Sequence, residues 1–461
     1  MKTIRQLICQ VPLKIGRSLL GILLLLGITK LNAQQTDTSS YSFSIQQAVD
    51  FAVQNNNAMK NVVLDQQAAT DKVKEILGMS YPQINGAITS QDYLEIPTSF
   101  IPGEFFGGQP GTFIPIKFGI KYSTTAGFSA SQLLFSGSYL EAVKGTKVYE
   151  ELAQKNVDRT KIETTSDVTK AYYTVLVNAE KKILLDANLD RVKKLMDDTK
   201  ALNANGFVEK IDVDRITVTY NNLATEVTNV HRLLDLSLVL LKYQMGMDQS
   251  AKLTLTDKIE NINFLVEQPS SEKFDYSKRV EYQLMNIALA GKVLGLKSER
   301  MGYWPTVSLF GSVQTNAQRS TFNFFDVNKP WYPIIFVGLQ INIPVFDGLQ
   351  RHYQISQAKV GILQSQNDLL FMERTIDMQQ AVAKVNLQNS AASLQSQKDN
   401  MELAQSVFDV AQKKYDQGVG SNLEIINAQT ALKEAQTNYF TALYDALNAK
   451  LEYDKSIGTF K

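Results

Sequence analysis

Thiols and imidazoles are almost missing from this 461-residue chain, which has one cysteine, Cys9, and two histidines, His231 and His352. Disulfide stapling is thereby excluded, so stability has to come from packing and assembly. No His/Cys cluster has metal-ligand spacing, no glycine motif could cradle a phosphate, and no recognised catalytic constellation occurs. The sequence predicts no enzyme, no metal site and no cofactor. His231 lies beside an apolar helical position and reads as packing or surface rather than as a ligand. Also missing is an apolar run of about twenty residues, so no membrane-spanning helix is expected. The 47 basic and 46 acidic residues leave no basic tract outside the N-terminus, and nucleic acid drops out as a partner.

The N-terminus is the exception to this balance. Lys2, Arg5, Lys14 and Arg17 precede an apolar run from Leu19 to Ile28, and Leu31-Asn32-Ala33 offers a small residue before a cut. Residues 1–33 therefore read as a secretory signal peptide. Its removal takes away five basic residues, Lys30 included, and no acidic one, so the formal charge passes from +1 to −4. The exported chain would then contain no thiol.

Two heptad seams lie behind this leader. Ile425, Ala428, Leu432, Ala435, Tyr439, Ala442, Ala446, Ala449 and Tyr453 alternate spacings of three and four, the a/d pattern of a coiled coil. The same pattern appears 212 positions earlier at Val213, Ile216, Tyr220, Leu223, Val227, Val230, Leu234, Ser237 and Leu241. Other landmarks repeat with it. Gly418 follows Gly206 by 212 residues, Phe346 follows Phe135 by 211, and Pro305 follows Pro82 by 223. The single jump of 12 places one insertion in the first copy, inside a Pro/Gly-rich loop between Pro97 and Pro115, where insertions are best tolerated.

Each copy reads as helix, strand, loop, strand, long helix, turn and return helix. The first repeat spans 34–245, with a helix from Ser44 to Leu77, a strand hairpin over 81–135, a long helix over 138–204 and a return helix over 207–243. Residues 246–275 break the pattern and read as a small mixed segment beside the helices. The second repeat spans 276–461, with a helix ending near Met301, a hairpin over 304–346, a long helix over 349–416 and a return helix over 421–457. Prolines in Tyr81-Pro82 and Trp304-Pro305 stop the first helix of each copy. At 1.5 Å per residue each long helix would run about 100 Å.

The strands alternate apolar with small or polar residues, as at Tyr122 to Ala130 and Val337 to Val345, and carry almost no charge. This is a membrane-barrel pattern. Four strands cannot close a barrel, and an open edge is not tolerated in lipid, so several chains must pool their strands. Two chains would give eight strands and three would give twelve. Tyr81 and Trp304 at one end, with Phe100, Phe105, Phe106, Trp331 and Tyr332 toward the other, read as interfacial girdles.

The chain resembles the TolC-type outer-membrane efflux protein family over about residues 41 to 458. The resemblance rests on Ser44-Ile45-Gln46-Gln47-Ala48 with Ala52 and Asn55-Asn56, and on Arg279-Val280-Glu281-Tyr282, Tyr81-Pro82-Gln83-Ile84 and Trp304-Pro305. It extends to Phe346-Asp347-Gly348 and to Tyr415-Asp416-Gln417-Gly418 through Leu423-Glu424-Ile425 to Ala428. It implies an α+β membrane protein that gives four strands to a trimeric twelve-stranded barrel, continued by coiled-coil helices forming a periplasmic tunnel. The function implied is an outer-membrane exit duct of a tripartite efflux or secretion system. A periplasmic adaptor protein and an inner-membrane pump are the implied partners, with the lipid bilayer around the barrel.

The same resemblance puts a gate at the helical turns, with Glu424 in an acidic ring and a polar bridge between Tyr415 and Asp212. Asn427 stands where a second acidic residue is expected, and Gly420 where an arginine is. Gly206, Phe207 and Val208, with Gly418, Val419, Gly420 and Ser421, are the implied adaptor contacts. The competing reading is a secreted structural or adhesive coiled-coil trimer without a pore. Its weakness is that a stalk with a terminal head would not need two matched hairpins in mid-chain.

Overall fold

A computed structural model describes residues 40–259 and 274–460. The signal expected over 1–33 and much of the mixed segment expected over 246–275 lie outside these residues. In chain order the first copy comprises β1 (Ser40–Phe43), α1 (Ile45–Asn55), α2 (Asn57–Gly78), β2 (Gln83–Asp92), β3 (Thr98–Pro102), β4 (Phe113–Lys117), β5 (Tyr122–Phe135), α3 (Gly137–Ala204) and α4 (Lys210–Met245). After β6 (Lys252–Leu255) come α5 (Val280–Met301), β7 (Thr306–Arg319), β8 (Tyr332–Asn342), α6 (Gln350–Asp416) and α7 (Asn422–Ser456).

The helix expected from Ser44 to Leu77 is broken at Asn56, whose extended backbone (φ −60°, ψ 137°) starts a new helix. The Asn56 side chain accepts from the amides of Ala58 and Met59, and its Nδ2 donates to the carbonyl of Gln244 at 2.7 Å. One asparagine thus caps α2 and ties it to the end of α4. Ser44 and Gln47 close a capping box on α1, where Asp257 Oδ2 also accepts from the Ile45 amide at 2.7 Å. The first return helix begins at Lys210 rather than at 207. Gly206 turns the chain in the left-handed region (φ +80°), and residues 207–209 are spent before the helix resumes.

β2, β5, β7 and β8 form one antiparallel sheet in that order. Its register separates two faces. Ile84, Ile88, Ala126, Phe128, Leu309, Val313, Val337 and Leu339 share one, and Asn85, Thr89, Thr125, Ser129, Ser312, Gln314, Asn316 and Gln340 share the other. On the polar face Asn316 Nδ2 donates to Thr125 Oγ1 at 2.8 Å. Phe310 and Phe336 are exceptions on that face and meet edge to face at 6.1 Å. Gly338 makes room for them, since a Cβ there would lie 2.6 Å from the Phe310 ring. β2 and β8 form the two edges, each with one neighbour only.

The Pro/Gly-rich loop of the first copy contains structure that its composition concealed. β3 and β4 pair as a separate antiparallel hairpin beyond the end of the four-stranded sheet. Phe100, Phe105 and Phe106 belong to this hairpin and its tip, not to the girdle expected at the strand ends. Trp331 and Tyr332 do stand at the outer end of β8, and Tyr81 and Trp304 at the inner end, beside the helices.

α3 packs against α4, and α6 against α7, as two long helical hairpins. The seam residues Ile216, Leu223, Val227, Val230, Ile425, Ala428 and Leu432 are buried with Leu185, Val192, Leu195 and Phe408. Nearer the middle a second core gathers Ala48, Ala52, Val168, Tyr172, Leu241, Met245 and Leu447. β1 pairs in parallel with β6 at this level, and Tyr172 Oη donates to the carbonyl of Phe43 (3.0 Å) and to Asp257 Oδ2 (3.1 Å). Burial, with Asp257 close by, pushes the Tyr172 phenol far above its ordinary value.

Candidate functional site

The two helical turns are built alike. At the first, the Gly206 amide donates to Asn203 O (2.9 Å) and the Phe207 amide to Leu202 O (2.9 Å). At the second, Gly418 donates to Tyr415 O (2.9 Å) and Val419 to Lys414 O (3.0 Å), with Gly418 also left-handed (φ +74°). Each turn raises one apolar side chain into solvent. Phe207 and Val419 are both 77% exposed and stand 212 positions apart. Asn422 Nδ2 donates to Asp212 O at 2.9 Å, so the two turns lie at the same end of the molecule.

Gly420 shows why no arginine stands there. Its amide donates to Lys414 O at 2.9 Å, and a Cβ would lie 2.8 Å from the Tyr415 nitrogen and 2.9 Å from Lys414 Cβ. Backbone crowding excludes any side chain in this conformation. Ser421 then caps α7, its Oγ accepting from the Glu424 amide at 3.2 Å.

Glu424 occupies the first turn of α7, where the helix dipole favours a carboxylate. Its Oε1 lies 2.9 Å from Lys414 Nζ across the turn, with both side chains about half exposed. Asn427 follows one turn later and borders, with Glu424, Lys414, Val407 and Val410, a shallow groove between α6 and α7. Asp212 and Tyr415 do not bridge to each other within the chain. Asp212 Oδ1 faces Arg215 at 3.6 Å, and Tyr415 Oη pairs with Thr199 Oγ1 at 3.1 Å. Both residues still tie one hairpin to the other, Asp212 through its backbone to Asn422 and Tyr415 through Thr199.

Lys414, Thr199 and Asn422 were not anticipated as members of this site. Lys414 and Glu424 are equidistant from Val419, so counting back from the turn would have paired them. No comparable signal existed for Thr199 or Asn422. Further up, polar contacts between the hairpins accompany their shared apolar core. Asn188 Nδ2 donates to Gln436 Oε1 at 2.7 Å, and Lys433 pairs with Glu226. Gln429, buried one turn nearer the tip than Lys433, leaves both amide atoms without a partner in the chain.

At the opposite end of α7, Arg279 is 7% exposed and fully engaged. It donates to Glu281 Oε2 (3.0 Å), to the Ser456 carbonyl (3.1 Å) and to Gln379 Oε1 (3.1 Å). Burial alone would raise the Glu281 carboxyl, but the hydrogen bond and charge of Arg279 outweigh it and hold the group below its ordinary value. The Arg-Val-Glu-Tyr motif thus fastens α5 to the middle of α6, through Glu373 and Gln379, and to the end of α7. His231 is the partner of an acid, its Nε2 lying 3.0 Å from Asp186 Oδ1. Lys182 first, and then His231, hold Asp186 below its usual value. Among the described residues no helix is long and apolar enough to cross a membrane, and no acidic, His or Cys group could hold a metal ion.

A two-faced sheet without closed edges, set on helical hairpins about 100 Å long, defines an outer-membrane channel-tunnel subunit. The model of the family described as "Outer membrane efflux protein" matches residues 295–459. The probable efflux pump outer membrane protein TtgC of Pseudomonas putida is 23% identical over 347 residues, covering 73% of this chain and 69% of that protein. The outer membrane protein TolC of Escherichia coli is 22% identical over 302 residues, 63% of this chain and 60% of that one. The solved outer membrane protein VceC of Vibrio cholerae superposes with a TM-score of 0.65 at 14% identity, covering 90% of this chain and 96% of VceC. The family model over residues 295–459, together with these relatives and solved structures, supports reading the chain as a TolC-type outer-membrane efflux protein. Its place is the outer membrane, with the helices in the periplasm, and its role is that of an efflux duct.

Proposed function

We propose that three copies close a twelve-stranded barrel and form the passive exit duct of a tripartite system, gated at the helical tip. The observation that carries this is the sheet with two unpaired edges. With four antiparallel strands, β8 of one copy runs antiparallel to β2 of the next, so the ladder continues without a break. An eight-stranded barrel is nearly filled by its own side chains. Three copies are therefore the smallest assembly that leaves a bore. The helical layer supports the same closure, since Val63 and Leu64 on α2 and Leu363, Leu370 and Phe371 on α6 are exposed apolar residues at its two margins.

In this reading the repeats 34–245 and 276–461 supply matched outer and inner hairpins. Glu424 and Asn427 line the constriction, with Asp212 and Tyr415 holding it through Asn422 and Thr199. A periplasmic adaptor docks on Gly206, Phe207 and Val208 and on Gly418, Val419, Gly420 and Ser421, and opens the duct toward an inner-membrane pump. The acidic ring favours cations, as converging carboxylates in a narrow bore do.

The test is reconstitution of detergent-purified protein in planar bilayers. Stepwise conductance from a particle of trimeric mass is expected, and a detergent-free soluble protein without conductance would overturn the reading. For the docking surface, pull-down of a periplasmic adaptor from cross-linked envelopes should succeed with the unsubstituted chain and fail with Phe207→Asp.

A further inference from the structure

The β3–β4 hairpin has more apolar surface than an isolated hairpin can leave in water. Its register places Phe100, Pro102, Phe113 and Pro115 on one face and Ile101, Ile114 and Ile116 on the other. Phe100 and Phe113 are 69% and 63% exposed, and Phe105 and Phe106 project from the tip at 80% and 63%. The tip is nonetheless tied together by its own hydrogen bonds. The Gly103 amide donates to Thr112 O at 2.7 Å, Gly108 to Gly103 O at 2.9 Å, and a Cβ on Gly103 would strike Thr112 Oγ1 at 2.3 Å. The isoleucine face is half-buried, with Ile114 at 37%, and the phenylalanine face is largely bare, so a two-stranded hairpin of this kind is marginal by itself and needs further cover on both.

Lipid does not meet that need. β3 and β4 pair only with each other, so both outer edges of the hairpin carry unpaired amides and carbonyls, which cannot enter hydrocarbon. Nor does the main sheet cover it. The β2–β5 ladder closes with the Tyr93 amide on Lys121 O at 2.8 Å, and Pro97 and the left-handed Gly119 (φ +134°) separate the hairpin from it.

We infer that the hairpins of three copies pack face to face, the phenylalanine face of one on the isoleucine face of the next, as a collar over the outer mouth of the barrel. A threefold ring is the arrangement in which two unlike faces of one element are both covered by copies of itself. The hairpins are suitably placed for this, since each extends the β2–β5 pair beyond the sheet. With Glu95 and Glu104 against Lys117 and Lys121, the segment carries no net charge to drive the copies apart. This inference rests on the trimeric duct reading.

The test uses paired cysteines in a Cys9→Ser background, Phe100→Cys with Ile114→Cys. These positions lie on opposite faces of one hairpin and cannot bridge within a chain. Oxidation should convert the monomer band on denaturing gels to covalent trimer, reversed by reductant, while Phe100→Ser should raise single-channel conductance. The collar would be overturned by conducting channels whose cysteine pairs stay monomeric and whose Phe100→Ser variant conducts as before. A different outer-membrane protein that co-purifies with the unsubstituted chain and is lost with Phe100→Ser, the pairs remaining uncross-linked, would overturn it equally. If the unsubstituted chain does not conduct at all, the duct reading fails and the collar with it.

Discussion

Lys414 Nζ lies 2.9 Å from Glu424 Oε1, across the turn that joins α6 to α7. A cation beside the carboxylate weakens the field that the carboxylate can present to a passing ion. Glu424→Gln should reduce cation selectivity and divalent-ion block in single-channel recordings. Lys414→Ala should increase both, because it leaves the carboxylate unopposed. Equal reversal potentials in all three proteins would remove this pair from the gate.

Tyr415 and Thr199 share one hydrogen bond between the two hairpins. Tyr415→Phe and Thr199→Val should each raise the open probability of the isolated channel. The double variant should add little to either, because both remove the same bond, worth about 1 kcal/mol. Additive effects in the double variant would show that the two side chains act separately.

Two glycines should respond differently to alanine. Gly420→Ala forces a methyl group against Tyr415 N and Lys414 Cβ and should lower the melting temperature and disturb the turn. Gly145 sits within α3 with nothing in reach of an added Cβ, so Gly145→Ala should be neutral or stabilising by about 0.5–1 kcal/mol. Thermal denaturation followed by circular dichroism separates them.

The Arg279–Glu281 pair gives the helical junction an acid-sensitive element. Glu281 is held below its ordinary value in the folded chain, so its contribution is fully present above the ordinary glutamate range. It is lost as pH falls through the lowered folded value. Between about pH 5 and about pH 3 the unsubstituted protein should lose melting temperature more steeply than Glu281→Gln. Parallel pH profiles would assign the acid sensitivity elsewhere.

The regular parts of this molecule were legible because they repeat. The seams at Ile216 to Leu241 and Ile425 to Tyr453 have an α-helical coiled-coil period, and β5 and β8 have a period of two. Both follow from chain geometry alone. The β3–β4 hairpin was hidden because Pro97, Pro102, Gly103 and Pro115 read as loop, while its pairing of Ile101 with Ile114 is a contact between strands. The break at Asn56 was equally concealed, since only the nearby Gln244 carbonyl distinguishes that asparagine from any other in a helix. At the tip, sequence located Glu424, Asp212 and Tyr415 but not their partners Lys414, Asn422 and Thr199. Those pairings depend on how the hairpins lie against each other.

β1 and β6 pair in parallel, with Ser40 opposite Lys252. The first described strand therefore waits for a partner 212 residues later, and the carboxylate of Asp257 that receives the start of α1 comes later still. Contacts of such long sequence separation form slowly. During export the whole first copy has to emerge before its beginning can be fastened. β1 and the start of α1 thus stay unfastened until more than half of the chain has crossed into the periplasm.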